Sequence, residues 1–207
     1  MKVGYELEFC SRKPITYQIR ASLVDWFEIG TDRSLAPREP ASYMYEIRSR
    51  EPMNVVSVDV IALMLEELDL VDHYHQEEID RIRRHSYWPP DEVGLPTKNG
   101  KSIFTTRNCG VHVHVSWDVK RAHIFFGHLV KVLTEKVTPF GERVDYCDPG
   151  FSSTRGGRYN ALRWVEIEDG HFEVRLFNGT MKLRGIVNYL KMIRNEALLL
   201  ARASQAA

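Results

Sequence analysis

Glu6 and Glu8 alternate with Tyr5, Leu7 and Phe9 near the start of the chain. As a strand, VGYELEF sets Val3, Tyr5, Leu7 and Phe9 on one face and Gly4, Glu6, Glu8 and Cys10 on the other. The two carboxylates then stand roughly 7 Å apart and repel unless water or a cation intervenes. CGVHVHVS repeats the pattern, with Val111, Val113 and Val115 opposite His112, His114 and Ser116. In HFEVRLF, Phe172, Val174 and Leu176 alternate with Glu173 and Arg175, and MYEIR brings Glu46 beside Arg48. One face of an antiparallel sheet is commonly wet and charged by default, but such a face is usually dressed with Lys, Thr, Gln and Ser. Here the exposed set is Glu, His and Arg. Mg²⁺ and Mn²⁺ prefer carboxylate oxygens with an occasional imidazole, and carboxylates so spaced can each serve one of two ions about 3.5–4 Å apart. A cation is therefore expected between or above Glu6 and Glu8. His-x-His on a strand is a frequent metal-ligand arrangement.

Arginine beside such ions points to phosphate, because a guanidinium fork matches phosphate oxygens and stays charged. Glu173-x-Arg175 thus pairs a metal ligand with a phosphate clamp. STRGGRYN adds Arg155 and Arg158 in a glycine-containing loop, of the kind that closes over a triphosphate. The chain has neither a Walker A sequence nor a Rossmann glycine fingerprint, so nucleotide binding would be of another type.

The elements that must position these residues follow from periodicity. Strands are predicted over 3–10 and 42–49, in SIFTT and GVHVHVSW, and in a hairpin of ALRWVEIE and HFEVRLFN joined by a two-residue Asp169-Gly170 turn. Helices are predicted over 14–29, 55–84 in two pieces, 119–137 and 181–203, with a short strand or turn at 31–36. Residues 87–101, with three prolines and two glycines, read as an exposed loop, and 141–160 as a long glycine-containing segment. The irregular strand–helix order and the hairpin favour an α+β fold with a mostly antiparallel sheet.

The totals bound the partners. At 207 residues a single domain over 1–207 is expected. Apolar residues make up 43% and charged residues 27%, which fits a globular chain. Lysine plus arginine balance aspartate plus glutamate at 28 each, so a nucleic-acid partner is not favoured. No apolar run approaches a membrane span, and the N-terminus carries no signal-peptide pattern. Cys10, Cys109 and Cys147 form no CxxC pair, so neither a disulfide framework nor a thiolate zinc site is expected. Together these predict a reduced, cytoplasmic protein.

GYELEF, DRSL followed by YEIRS, CGVHVHV, RYNAL and FEVRLFNGT, in that order across residues 4–180, resemble the amidoligase family of the carboxylate–amine ligase superfamily, which includes glutamine synthetase and glutamate–cysteine ligase. The resemblance implies a curved antiparallel sheet of glutamine-synthetase type, helices on its outer face, and a concave metal and nucleotide site. It implies ATP-dependent ligation of a small-molecule or peptide carboxylate to an amine, with Mg²⁺ or Mn²⁺. By similarity, Glu6 and Glu8 would be metal ligands, with Glu46 completing a site. His112, or His114, and Glu173 would serve another ion. Arg175 and Arg158 would handle phosphate, with Arg155 and His114 on the nucleotide side. Asp32, in the D-x-S-L position, would orient substrate or help deprotonate the amine. Family members often carry asparagine near the place of Arg163, which leaves the roles of Asn160 and Arg163 open.

Activation of a carboxylate by the ATP γ-phosphoryl group would give an acyl phosphate, which the amine attacks. Two other readings stand beside this one: a zinc-dependent hydrolase built on His112 and His114, and a non-catalytic binding or scaffold protein. An open sheet edge also offers a surface for a homo-oligomer.

Overall fold

The computed structural model describes residues 1–31, 43–50, 57–71, 102–105, 109–136, 148–152 and 160–205. Along the chain run β1 (Lys2–Ser11), α1 (Tyr17–Leu23), β2 (Phe27–Thr31), β3 (Tyr43–Ser49), α2 (Val58–Asp69), β4 (Ile103–Phe104), β5 (Gly110–Ser116), α3 (Val119–Lys136), β6 (Asp148–Ser152), β7 (Asn160–Glu166), β8 (His171–Asn178) and α4 (Leu183–Gln205). The eight described strands form one sheet in the order β2-β3-β1-β5-β8-β7-β6, with β4 pairing to the end of β1. Every pairing is antiparallel except β6 with β7. The fold is α+β with a mostly antiparallel sheet, as the strand order predicts.

Alternation gives the sheet its two faces. Tyr5, Leu7 and Phe9 of β1, Val111, Val113 and Val115 of β5, and Phe172 and Val174 of β8 are all buried. They share one core with Ile19 and Leu23 of α1, Ile61, Met64 and Leu68 of α2, Phe125 and Leu129 of α3, and Ile186, Leu190 and Ile193 of α4. Helical spacing in each helix supplies the matching apolar stripe. The helices thus cover the apolar face, and the opposite face receives the Glu, His and Arg side chains.

Four local readings are corrected. The helix predicted over 14–29 stops at Leu23, and Phe27–Thr31 is a strand. Trp26 and Phe27 do not belong to one stripe: Trp26 is half exposed and its N–H closes the helix end on Leu23 O, whereas Phe27 is buried against the Tyr5 ring. Ile29 then lies opposite Ile47 of β3. The hairpin turn spans four residues, Ile167–Gly170, because Glu166 pairs with His171. The segment read as a glycine-containing connection contributes β6, which runs parallel to β7. In β8 the alternation breaks: Val113 faces Val174 but Val111 faces Phe177, so β8 carries one extra residue there. Of the helical stretch 55–84, α2 accounts for 58–69; residues 32–36, 72–84 and 87–101 lie outside the described residues.

Cys10 and Cys109, far apart in sequence, meet in the sheet with their sulfurs 3.9 Å apart, a distance that excludes a disulfide bond. They form a small cluster with Met44 and Phe104 beside the main core.

The turn generates a stability test. Gly170 has φ of 61°, and a Cβ there would stand 2.2 Å from the Trp117 carbonyl oxygen. Gly170→Ala is expected to cost about 2 kcal/mol or more. Gly127 in α3 has nothing within 4 Å of its would-be Cβ, so Gly127→Ala should stabilise by about 0.5–1 kcal/mol. Urea midpoints of the two variants should move in opposite directions.

Candidate metal centre

The register of four strands assembles the site. Across the sheet, Glu28, Arg48, Glu6 and His112 lie in one row on β2, β3, β1 and β5. The next row runs Gly4, His114, Glu173 and Arg163 on β1, β5, β8 and β7. Glu8 lies opposite Glu46 of β3 on the other side of the first row. Because side chains repeat every second residue, all these groups emerge on the face opposite the helices.

His112 is the hub. Its ring is 1% exposed. Nδ1 lies 3.0 Å from Glu173 Oε1 and 3.3 Å from Glu6 Oε2, and Nε2 lies 3.4 Å from Glu8 Oε1 without hydrogen-bond alignment. An imidazole from the neighbouring strand therefore occupies the position between Glu6 and Glu8 where a cation was expected. Glu173, fully buried, receives Arg175 Nη1 at 3.0 Å on Oε1 and Arg163 Nε on Oε2. His114 sets Nε2 3.1 Å from Glu6 Oε1, and its Nδ1 faces His171 Nε2 at 2.9 Å.

These contacts fix the charges. Burial raises the Glu6 carboxyl, but hydrogen bonds from His112 and His114 and the charge of those rings outweigh it and hold the carboxyl well below the usual carboxylate range. Burial likewise opposes ionisation of Glu173, and the His112 hydrogen bond with the His112 and Arg175 charges overrides it in the same direction. For His112, burial pulls the other way, yet the Glu8 charge and hydrogen bonds to Glu173 and Glu6 push the ring up to about 9. Burial, then the neighbouring His114, lowers His171.

Glu6, His112 and Glu173 can each offer one ligand atom, with all three atoms within 4.8 Å of one another. Two carboxylate oxygens and one imidazole nitrogen suit a divalent cation of the Mg²⁺ or Mn²⁺ type. The buried Nε2 of His112 faces Glu8 without an aligned hydrogen bond, whereas Nδ1 faces Glu6 and Glu173.

Of the sequence-predicted ligands, the structure thus brings Glu6, His112 and Glu173 together. Glu8 joins through the far nitrogen of His112. Glu46 stands at the margin, its Oε1 held by Arg48 Nη2 at 3.1 Å. His114 contacts Glu6 and His171, and Arg175 rests on Glu173. Asp32, Arg155 and Arg158 lie outside the described residues. Sequence reading assigned no role to Arg163 or His171. Arg163 sits where the chain departs from the asparagine pattern, and His171 begins the same strand as Glu173 with matching parity; those were the available signals.

A pH test follows from His112. Its folded value of about 9 exceeds the ordinary 6.5, so its contribution to stability is complete below 6.5 and disappears as pH rises through about 9. Metal-free protein should lose urea resistance across that window, and His112→Gln should remove the alkaline loss. A ligand cation replaces the proton, so Mn²⁺ should flatten the same profile and release protons on binding. A profile in which His112→Gln and the unaltered chain fall in parallel would assign the loss elsewhere. No protein-family model, no curated protein and no solved structure matches the chain.

Proposed function

We propose that the protein is an ATP-dependent carboxylate–amine ligase whose metal centre is built on Glu6, His112 and Glu173, with Glu8 adjoining. The observation that carries this reading is the convergence of three carboxylates, one buried imidazole and two arginines on one face of an antiparallel sheet. Carboxylate-rich ligation favours a hard cation, and Arg175 beside it supplies a charge suited to phosphoryl oxygens. A divalent cation held there would neutralise phosphate oxygens during transfer.

The chain's own groups then divide the work. Burial opposes both charges, but His112 and His114 keep Glu6 ionised, and His112, Arg175 and His114 keep Glu173 ionised. The rigid sheet fixes their spacing, which costs no reorganisation as charge moves in the transition state. Arg175 is anchored through Nη1 on Glu173. In the ligase reading, the resemblance gives Asp32 the role of orienting substrate or helping to deprotonate the amine, and Arg155 and Arg158 that of supplying positive charge to phosphate. The substrates are a small-molecule or peptide carboxylate and an amine.

Calorimetry with a non-hydrolysable ATP analogue tests the reading. Binding is expected only with Mg²⁺ or Mn²⁺ present, and Glu8→Gln or Glu173→Gln should cut ADP formation in the presence of an accepted substrate by about 10²-fold or more. Tight zinc in the purified protein with no nucleotide heat would favour hydrolysis, and neither zinc nor nucleotide binding would favour a scaffold. Full turnover by both glutamine variants would remove the metal assignment.

A further inference from the structure

Glu6, His114 and His171 stand on the adjacent strands β1, β5 and β8, and their polar atoms follow one another across the sheet. His171 Nε2 lies 2.9 Å from His114 Nδ1, within hydrogen-bond distance. The other nitrogen of that second ring, His114 Nε2, is buried 3.1 Å from Glu6 Oε1, off the ideal hydrogen-bond line. The remaining oxygen of the carboxylate, Oε2, faces His112 Nδ1 at 3.3 Å, the nitrogen that also faces Glu173. Glu6, His112 and Glu173 are the three residues whose ligand atoms converge. Glu6 thus turns one oxygen to the candidate metal position and the other to His114, and both nitrogens of His114 face protein groups.

The placement of hydrogens follows from what each atom can do. An ionised carboxylate only accepts, and a nitrogen lone pair brought this close to it is repelled. The hydrogen of a neutral His114 therefore belongs on Nε2, toward Glu6. Its Nδ1 is left as the acceptor, so the hydrogen between the two rings is that of His171 Nε2. Each ring then sets the next. His171 selects the tautomer of His114, and that tautomer gives Oε1 of Glu6 a donor. Partners behind a metal ligand act in this way on its orientation, and losing one typically weakens metal affinity by about ten- to a hundredfold.

We propose that His114 and His171 are positioning residues that hold Glu6 by Oε1 and so present Oε2 to a divalent cation shared with His112 and Glu173. This rests on the cation reading of the site given above.

Two measurements on the full chain test it. Long-range proton–nitrogen correlation spectra of the metal-free protein at about pH 8, above the ordinary histidine range, report which ring nitrogens carry hydrogen. His114 should carry it on Nε2 alone, and His171 on Nε2. Hydrogen on Nδ1 of His114, alone or together with Nε2, overturns the proposal, and so does a His171 without hydrogen on Nε2. These spectra need no variant, so they decide even where a substitution prevents folding. Equilibrium dialysis against Mn²⁺ gives the consequence. His171→Leu, which removes the donor, should weaken binding about tenfold. His171→Gln, whose amide N–H can stand in for Nε2–H, should restore binding to within about threefold of the unaltered chain. A folded His171→Leu that binds as tightly as the unaltered chain, or a His171→Gln as weak as His171→Leu, overturns the proposal and leaves the metal centre standing. An unaltered chain that binds no Mn²⁺ removes the centre and the proposal together.

Discussion

The arrangement depends on one buried imidazole set among three carboxylates. Three like charges brought this close and shielded from water repel strongly, and none of the three can be relieved by moving away, because each is fixed to a strand of one sheet. His112 relieves them from within. One ring nitrogen faces Glu6 and Glu173, and the other faces Glu8. The same geometry makes the ring exchangeable: a proton on the imidazole and a divalent cation beside it answer the same electrostatic demand. A cluster that is tolerable as a protonated hub offers the same donors to a cation once the proton leaves.

Holding such a cluster requires a stiff support, and the opposite face of the sheet provides it. Every strand that contributes a charged group also contributes apolar partners to the core under the helices. Slipping any of these strands by one residue would turn the carboxylates into the core and the valines to the site. Burial of Leu7, Val111, Val113 and Val174 therefore fixes the register that brings Glu6, His112 and Glu173 to one place. The extra residue in β8 refines this. It sets Arg175 and Leu176 against His112, so that Arg175 can turn back onto Glu173 while Phe177 returns to the core and stacks on Tyr189.

Much of this was legible in the chain because period-two alternation is a local signal. Glu6, Glu8, His112, His114 and Glu173 could be placed on one kind of face from their own strands alone. What alternation does not carry is the order of strands in the sheet. That Glu6 lies beside His112 and not beside Glu46 decides which residues share a ligand position, and it depends on long-range pairing. The role of Arg163 stays open in the sequence for the same reason: on its own strand it is an ordinary arginine between Leu162 and Trp164, and only the neighbouring β8 gives it Glu173. Local rules also misled where two periods compete. Ile19, Leu23 and Phe27 fit a helical stripe, yet Phe27 is held by Tyr5 across the sheet, so tertiary packing ended the helix early. In the FNGT motif, Gly179 donates its N–H to Cys109 O, and a Cβ there would meet the Cys109 Cβ at 2.7 Å; no local pattern exposes that approach.

The donor set also bears on the kind of chemistry proposed above. A zinc hydrolase built on His112 and His114 would need both rings aimed at one ion. In the sheet, the two rings divide Glu6 between them, His112 on one oxygen and His114 on the other, and His114 turns its second nitrogen to His171. The group that converges is therefore one imidazole with two carboxylates, reinforced by arginines that are poor company for a soft or strongly polarising zinc centre but good company for phosphate. Arginine beside a cation makes sense where the ligand is itself multiply negative and must be held from both sides. In the proposed function, the guanidinium groups on Glu173, beside a group of donors suited to a hard cation, are the physical reason for preferring phosphoryl chemistry to hydrolysis.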